Sequence, residues 1–157
     1  MSKLNKENYK MFINGEWVDS EDKLVLKAYN PANSEYLANL PDATQGDVNR
    51  AVEAAQEAFK TWKKTTVSER AALLNKIADI IDENTDLLAT TESLDNGKPI
   101  RETKAVDVPL SAKHFRYFAG CILADEGQAT VLEEKLLSLV LREPIGVVGQ
   151  IIPWNFP

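Results

Sequence analysis

Apolar residues change period along this chain, and each change marks a different kind of element. Met11-Phe12-Ile13 and Glu16-Trp17-Val18 flank Asn14-Gly15. Asn-Gly between short apolar runs signals a hairpin, because a type I′ turn needs positive φ at both central residues. Residues 24–29 and 36–40 read as two further strands, joined through the turn former Asn30-Pro31. Behind a polar, frayed start at 1–10, the first forty residues predict a small β-ribbon. From Thr44 the period becomes helical. Thr44 with Asp47 resembles a capping box, and Val48, Ala51, Val52, Ala55, Ala58, Phe59 and Trp62 follow at three- and four-residue spacing. Thr66 with Glu69 opens a second box, ahead of Leu73, Leu74, Ile77, Ala78, Ile80 and Ile81. Leu87, Leu88, Thr91 and Leu94 predict a third helix, stopped at Asn96-Gly97-Lys98-Pro99 by a left-handed glycine with a proline beyond it. A fourth helical stretch covers about 101–123, with Ala112, Phe115, Ala119 and Ile122 as its buried stripe. Pro109 inside it predicts a break near Asp107, with Asp107 capping the second half and Pro109 in its first turn. After Gly127 the pattern reverts to β. Residues 136–141 alternate weakly, Glu143-Pro144 ends them, and 145–152 is apolar apart from Gln150 and its glycines.

An uninterrupted Val/Ile run with glycines reads as a central strand, covered on both faces in a parallel sheet. Nothing earlier in the chain reads as its parallel partner. Leaving Val147, Val148, Ile151 and Ile152 in water forfeits roughly 1.5–3 kcal/mol each. The sum rivals the whole net stability of an ordinary domain. The chain therefore reads as the front section of a larger α/β protein, expected on its own to stay partly open, swap or aggregate. Ligands of open α/β sheets bind at the carboxyl ends of strands. Residues 153–157 occupy such an end, where Pro153 and Pro157 stiffen the backbone around Trp154-Asn155-Phe156. Asn155 can act there as a fixed amide donor or simply as a turn former.

Composition narrows the function classes. The chain has 157 residues, 44% hydrophobic and 27% charged, which suits one globular domain. Its 18 basic and 24 acidic side chains leave a net charge of −6, the wrong sign for a surface that neutralises phosphates. Nucleic acid is thus not an expected partner, and Trp17, Trp62 and Trp154 have few basic neighbours to make a stacking surface. One cysteine closes no intramolecular disulfide and cannot build a zinc site without help from more than the single histidine. Cys121, past Gly120 at a helix end, matches no catalytic arrangement, and His114 reads as a helix-surface residue. Gly146-Val147-Val148-Gly149 lies within the predicted strand, where glycines allow close packing, and is no phosphate loop. Glu133-Glu134 and Glu83/Asp86 read as solvated ends. The start lacks a signal-length apolar stretch, and Arg142, Glu143 and Pro144 interrupt the most apolar tract, so no membrane span is predicted. A soluble, cytoplasmic protein is the expectation.

Several segments carry a resemblance in chain order. They are Phe12-Ile13-Asn14-Gly15-Glu16-Trp17, Asn30-Pro31-Ala32, the helix at 51–62, and Leu94-Asp95-Asn96-Gly97-Lys98-Pro99. Phe115-Arg116-Tyr117-Phe118-Ala119-Gly120, Arg142-Glu143-Pro144-Ile145-Gly146-Val147-Val148-Gly149 and Pro153-Trp154-Asn155-Phe156-Pro157 complete the set. Together they resemble the amino-terminal part of the NAD(P)-dependent aldehyde dehydrogenases. The resemblance implies an α/β class: the front of an aldehyde dehydrogenase-like, Rossmann-type three-layer fold. Residues 1–123 would give the β-ribbon and helices of the cofactor-binding domain, and 124–144 an oligomerisation arm. Residues 145–157 would give the first core strand and the Pro-Trp-Asn-Phe-Pro loop.

The activity so implied oxidises an aldehyde to a carboxylate, with a cysteine thiolate as nucleophile, NAD or NADP as hydride acceptor, and a glutamate-activated water to hydrolyse the thioester. Asn155 matches the family's oxyanion-hole asparagine, while Ile151, Ile152, Pro153 and Trp154 match residues lining the adenosine side of the cofactor. The family's nucleophile, base and cofactor-phosphate lysine lie beyond residue 157, so the chain alone is expected to be inactive. Residues 136–141 resemble the arm that pairs with a neighbouring subunit in a homo-oligomer, the alternative being a plain intramolecular strand. Asp107 fits helix capping more simply than a monovalent cation site. The rival function is a truncated, non-catalytic relative that docks its edge strand onto full-length subunits.

Overall fold

The computed structural model describes residues 8–155, so the expectations for 1–7, Phe156 and Pro157 lie outside the described residues. The chain folds locally, into antiparallel hairpins and a helical layer. Strands β1 (Met11–Ile13) and β2 (Glu16–Val18) pair through the predicted turn, with Asn14 at φ 53° and Gly15 at φ 83°. Phe12 faces Trp17 across this hairpin, with ring centroids 5.0 Å apart. Strands β3 (Val25–Tyr29) and β4 (Tyr36–Pro41) form a second hairpin whose turn is built by buried Asn30. The Asn30 Oδ1 accepts from the Ala32 N–H at 2.9 Å, and its own N–H donates to the Glu35 carbonyl at 2.9 Å.

Both predicted capping boxes close. In α1 (Gln45–Trp62), the Asp47 N–H donates to Thr44 Oγ1 at 3.2 Å and Asp47 Oδ2 accepts from the Thr44 N–H at 2.8 Å. The same carboxylate takes the Glu21 N–H at 3.2 Å, which ties the ribbon to α1. In α2 (Val67–Glu83), Thr66 and Glu69 repeat the exchange. Helix α3 (Thr85–Asn96) ends at Gly97, whose φ of 79° gives the left-handed stop. A Cβ at Gly97 would sit 2.9 Å from Pro31 Cγ, so the glycine also seats the β3–β4 turn.

The fourth helical stretch differs from its prediction. Short α4 (Ile100–Glu102) runs through a π-helical turn at Thr103–Asp107 into α5 (Val108–Cys121) without a break. The Val108 N–H reaches back five residues to the Thr103 carbonyl, and Pro109 lies in the first turn of α5. Widening the turn is how the helix accommodates a proline that cannot donate. Asp107 therefore does not cap. Its backbone is helical (φ −65°, ψ −55°), it makes no capping bond, and its carboxylate points instead to Lys98. Helix α2 packs along α5, each contributing buried alanines: Ala71 and Ala78 against Ala112 and Ala119. Arg116 reaches across to Asp79 and Asp82, both at 2.7 Å. The stripe predicted for α1 is not covered: Val48, Val52 and Trp62 are exposed.

Beyond α5, strand β6 (Leu136–Val140) falls where alternation placed it, and pairs antiparallel with β5 (Gln128–Leu132), a strand the sequence reading missed. Both are exposed along their length. Residues 145–152 carry no ladder, and the described residues hold no parallel sheet. The physical reason is that no strand among the described residues reaches this run as a partner. Ile145 and Ile151 stand 94% and 91% exposed.

Candidate functional site

The predicted site residues are consecutive and sit at the end of the run that follows β6. Arg142 Nε meets Asp125 Oδ1 at 3.5 Å, which links the start of this run to the segment leaving α5. Ile151, Ile152, Pro153, Trp154 and Asn155 are all exposed. Trp154 has φ 42°, a left-handed conformation uncommon for so bulky a side chain. The bend it makes precedes Asn155, whose carboxamide makes no hydrogen bond with another described residue. A neutral amide in that state is a donor available to an outside oxygen. The stretch 145–155 offers apolar surface and two carboxamides, Gln150 and Asn155, but no lysine or arginine. Apolar side chains of this kind can pack on a nucleoside, and none of these side chains carries a positive charge for a phosphate.

The other residues weighed from sequence are dispersed. Cys121 ends α5 and is exposed, with Tyr117 one turn before it; hydrogen bonding to Cys121 raises the Tyr117 hydroxyl above its ordinary pKa. His114 is exposed on α5. Among the described residues no group of three histidine, cysteine, aspartate or glutamate side chains is placed to hold a metal ion.

A second polar cluster escaped the sequence reading. Glu92 on α3, Lys98 in the following turn and Asp107 at the end of the π-turn converge, with side chains 9%, 26% and 7% exposed. Lys98 Nζ bonds Asp107 and lies 3.8 Å from Glu92 Oε1. Burial, then the hydrogen bond and charge of Asp107, push Glu92 up to about 7. For Asp107 burial acts against the charged form, yet hydrogen bonds with Lys98 and Glu92 outweigh it and hold its pKa below the ordinary value. Glu92 also walls a cavity of about 560 Å³ between the β3–β4 hairpin and the helices, lined by Ala28, Leu40, Leu88, Val108 and Phe115. The only sequence hint was a lysine directly behind a helix-stopping glycine.

Comparison with known proteins decides the family. The sequence profile of the "Aldehyde dehydrogenase family" matches residues 17–157. The chain belongs to the aldehyde dehydrogenase family. It is similar to acetaldehyde dehydrogenase 2 of Cupriavidus necator, 46% identical over 152 residues. That match takes in 97% of this chain and 30% of the relative. Aldehyde dehydrogenase B of Escherichia coli is 47% identical with the same coverage. Among solved structures, an NAD+ complex of the Bacillus cereus aldehyde dehydrogenase superposes with a TM-score of 0.92 at 43% identity, covering 98% of this chain and 32% of that one. The chain thus spans about 30% of the length of the curated aldehyde dehydrogenases it matches. Among the described residues no helix is long and apolar enough to cross a membrane.

Proposed function

We propose that this chain is the front section of an NAD(P)-dependent oxidoreductase that oxidises an aldehyde to its carboxylate, and that Asn155 donates to the oxygen on which negative charge develops. The observation that carries this reading is the carboxamide of Asn155, which bonds no other described residue, set behind the left-handed bend at Trp154 in a chain of this family. A carboxamide suits the task because it donates a hydrogen bond without a positive charge that would compete for an anionic nucleophile. Ile151, Ile152, Pro153 and Trp154 would hold the adenosine side of the cofactor. NAD(P), when bound, supplies the hydride acceptor. Nucleophile and general base come from residues outside this chain, which alone turns over no aldehyde.

The test uses the relatives. Residues 1–157, joined to the remaining part of the Escherichia coli relative, should oxidise acetaldehyde, the substrate in the name of the Cupriavidus necator protein. Asn155→Ala in that chimera should lower kcat by about 10²–10³ with little change in KM. A variant within tenfold of the parent defeats the role of Asn155, and reduced cofactor formed by the 157-residue chain alone defeats its incapacity.

The exposed β5–β6 hairpin supports a partner reading beside this one. Among the described residues its strands pair with each other alone, so either edge can extend a neighbouring subunit's sheet in a homo-oligomer. The same edge would serve a non-catalytic relative that docks onto full-length subunits. Co-expression with the Escherichia coli relative distinguishes the two: a stable, inactive complex that unfolds cooperatively favours docking.

A further inference from the structure

Two carboxyls and one ammonium meet at the joint of α3, the turn after it and the π-turn. If all three were ionised, a net negative charge would be buried there, which is costly without a further partner. Among the described residues the surroundings provide no further cation. Asn96 Nδ2 lies 3.5 Å from Glu92 Oε1, the Ser93 hydroxyl meets that of Thr103, and Thr103 Oγ1 also lies by the Ala89 carbonyl. From the β3–β4 side and α3, Tyr9 and Asp95 share the Glu92 cavity, adding no positive charge. The nearby cations on the helix, Arg101 and Lys104, pair with Glu102 at 3.1 Å and Asp86 at 2.5 Å.

We propose that Glu92, Lys98 and Asp107 form a proton-held latch, in which one proton shared between the two carboxyls locks the 97–99 turn against the π-turn and its loss loosens that joint. Lys98 sits on Asp107, so the proton resides on Glu92 and is donated to Asp107. The direction of each shift agrees: Glu92 is raised and Asp107 lowered. Because the folded chain binds this proton more tightly than the unfolded chain, the stabilisation is complete below about 4.5 and is lost as pH rises through about 7. What the latch holds is visible. The Lys98 N–H donates to Asn96 Oδ1 at 2.8 Å, the Glu102 N–H reaches the Pro99 carbonyl at 2.8 Å, and Gly97 abuts Pro31 of the β3–β4 turn. Opening the joint therefore loosens the seat of that hairpin.

Carboxyl-carbon NMR of the whole chain tests this, with the Glu92 resonance identified by its loss in Glu92→Gln. A midpoint near 7 is expected; a midpoint near the ordinary 4.5 overturns the proposal. Amide exchange at Gly97 and Thr103, corrected for the intrinsic rate, should lose roughly tenfold or more protection between pH 5 and pH 8. In Glu92→Gln, whose carboxamide imitates the protonated acid, protection should stay level. The same loss in that variant, or its disappearance in His114→Gln, overturns the latch.

Discussion

Thr103 shows how much one buried hydroxyl can organise. It is fully buried, and its Oγ1 lies 2.8 Å from Ser93 Oγ, 3.1 Å from the Ala89 carbonyl and 3.2 Å from the Ile100 carbonyl. Thr103→Val keeps the shape and strands the Ser93 hydroxyl. It should cost about 1–3 kcal/mol in urea denaturation, with Thr103→Ser costing less. Gly97→Ala meets two obstacles, a left-handed φ of 79° and Pro31 at 2.9 Å. A loss of about 1–2 kcal/mol by the same measurement is expected from the backbone alone. At this scale the sequence was most informative where the cause was local: Gly97 and Asn14-Gly15 dictate their own φ. Asp107 misled because its partner, Lys98, is nine residues away and no spacing rule announces it.

Helix starts were legible for the same reason, since a capping box is complete within four residues. Thr66→Ala should cost about 1 kcal/mol and fray the first turn of α2, visible in amide exchange of Glu69 and Arg70. Backbone hydrogen bonds, that of Thr44 first, hold Asp47 below the ordinary carboxylate range, and Thr66 does the same for Glu69. Both lowered groups contribute stability at neutral pH that is lost on acidification through their folded pKa values. An acid titration followed by amide NMR should therefore show the Thr44 and Thr66 signals moving only below the ordinary carboxyl values of 3.8 and 4.5. Strand β5 was missed because Gln128-Ala-Thr-Val-Leu132 alternates poorly and its turn, Glu133-Glu134, uses acidic residues at φ 49° and 56° in place of glycine or asparagine. The candidate site was legible because residues 151–155 are contiguous. The Glu92 cluster, assembled from three elements, was not.

The chain as a whole leaves 12221 Å² accessible, where a compact 17.5 kDa monomer shows about 7,900 Å². Its buried apolar set is Ala38, Ala71, Ala78, Ala89, Leu94, Val108, Ala112 and Ala119, mostly small side chains, while Trp62, Leu137, Leu139, Val148 and Ile151 face water. Such a surface should bind a hydrophobic dye and make the apparent mass rise with concentration in light scattering. Lysine at positions 148 and 151 should reduce both signals; unchanged scattering in that double variant places the sticky surface elsewhere.

The wide turn at Thr103–Asp107 carries a consequence for anyone redesigning this helix. Removing one residue there would restore regular i→i−4 spacing, and by local propensity it would look like an improvement. The wide turn already absorbs one residue beyond regular spacing, so the deletion would leave Ala112 and Ala119 facing α2. What it would disturb is the segment carrying Thr103 and Asp107, so helical regularity would come at the expense of their bonds to Ser93 and Lys98.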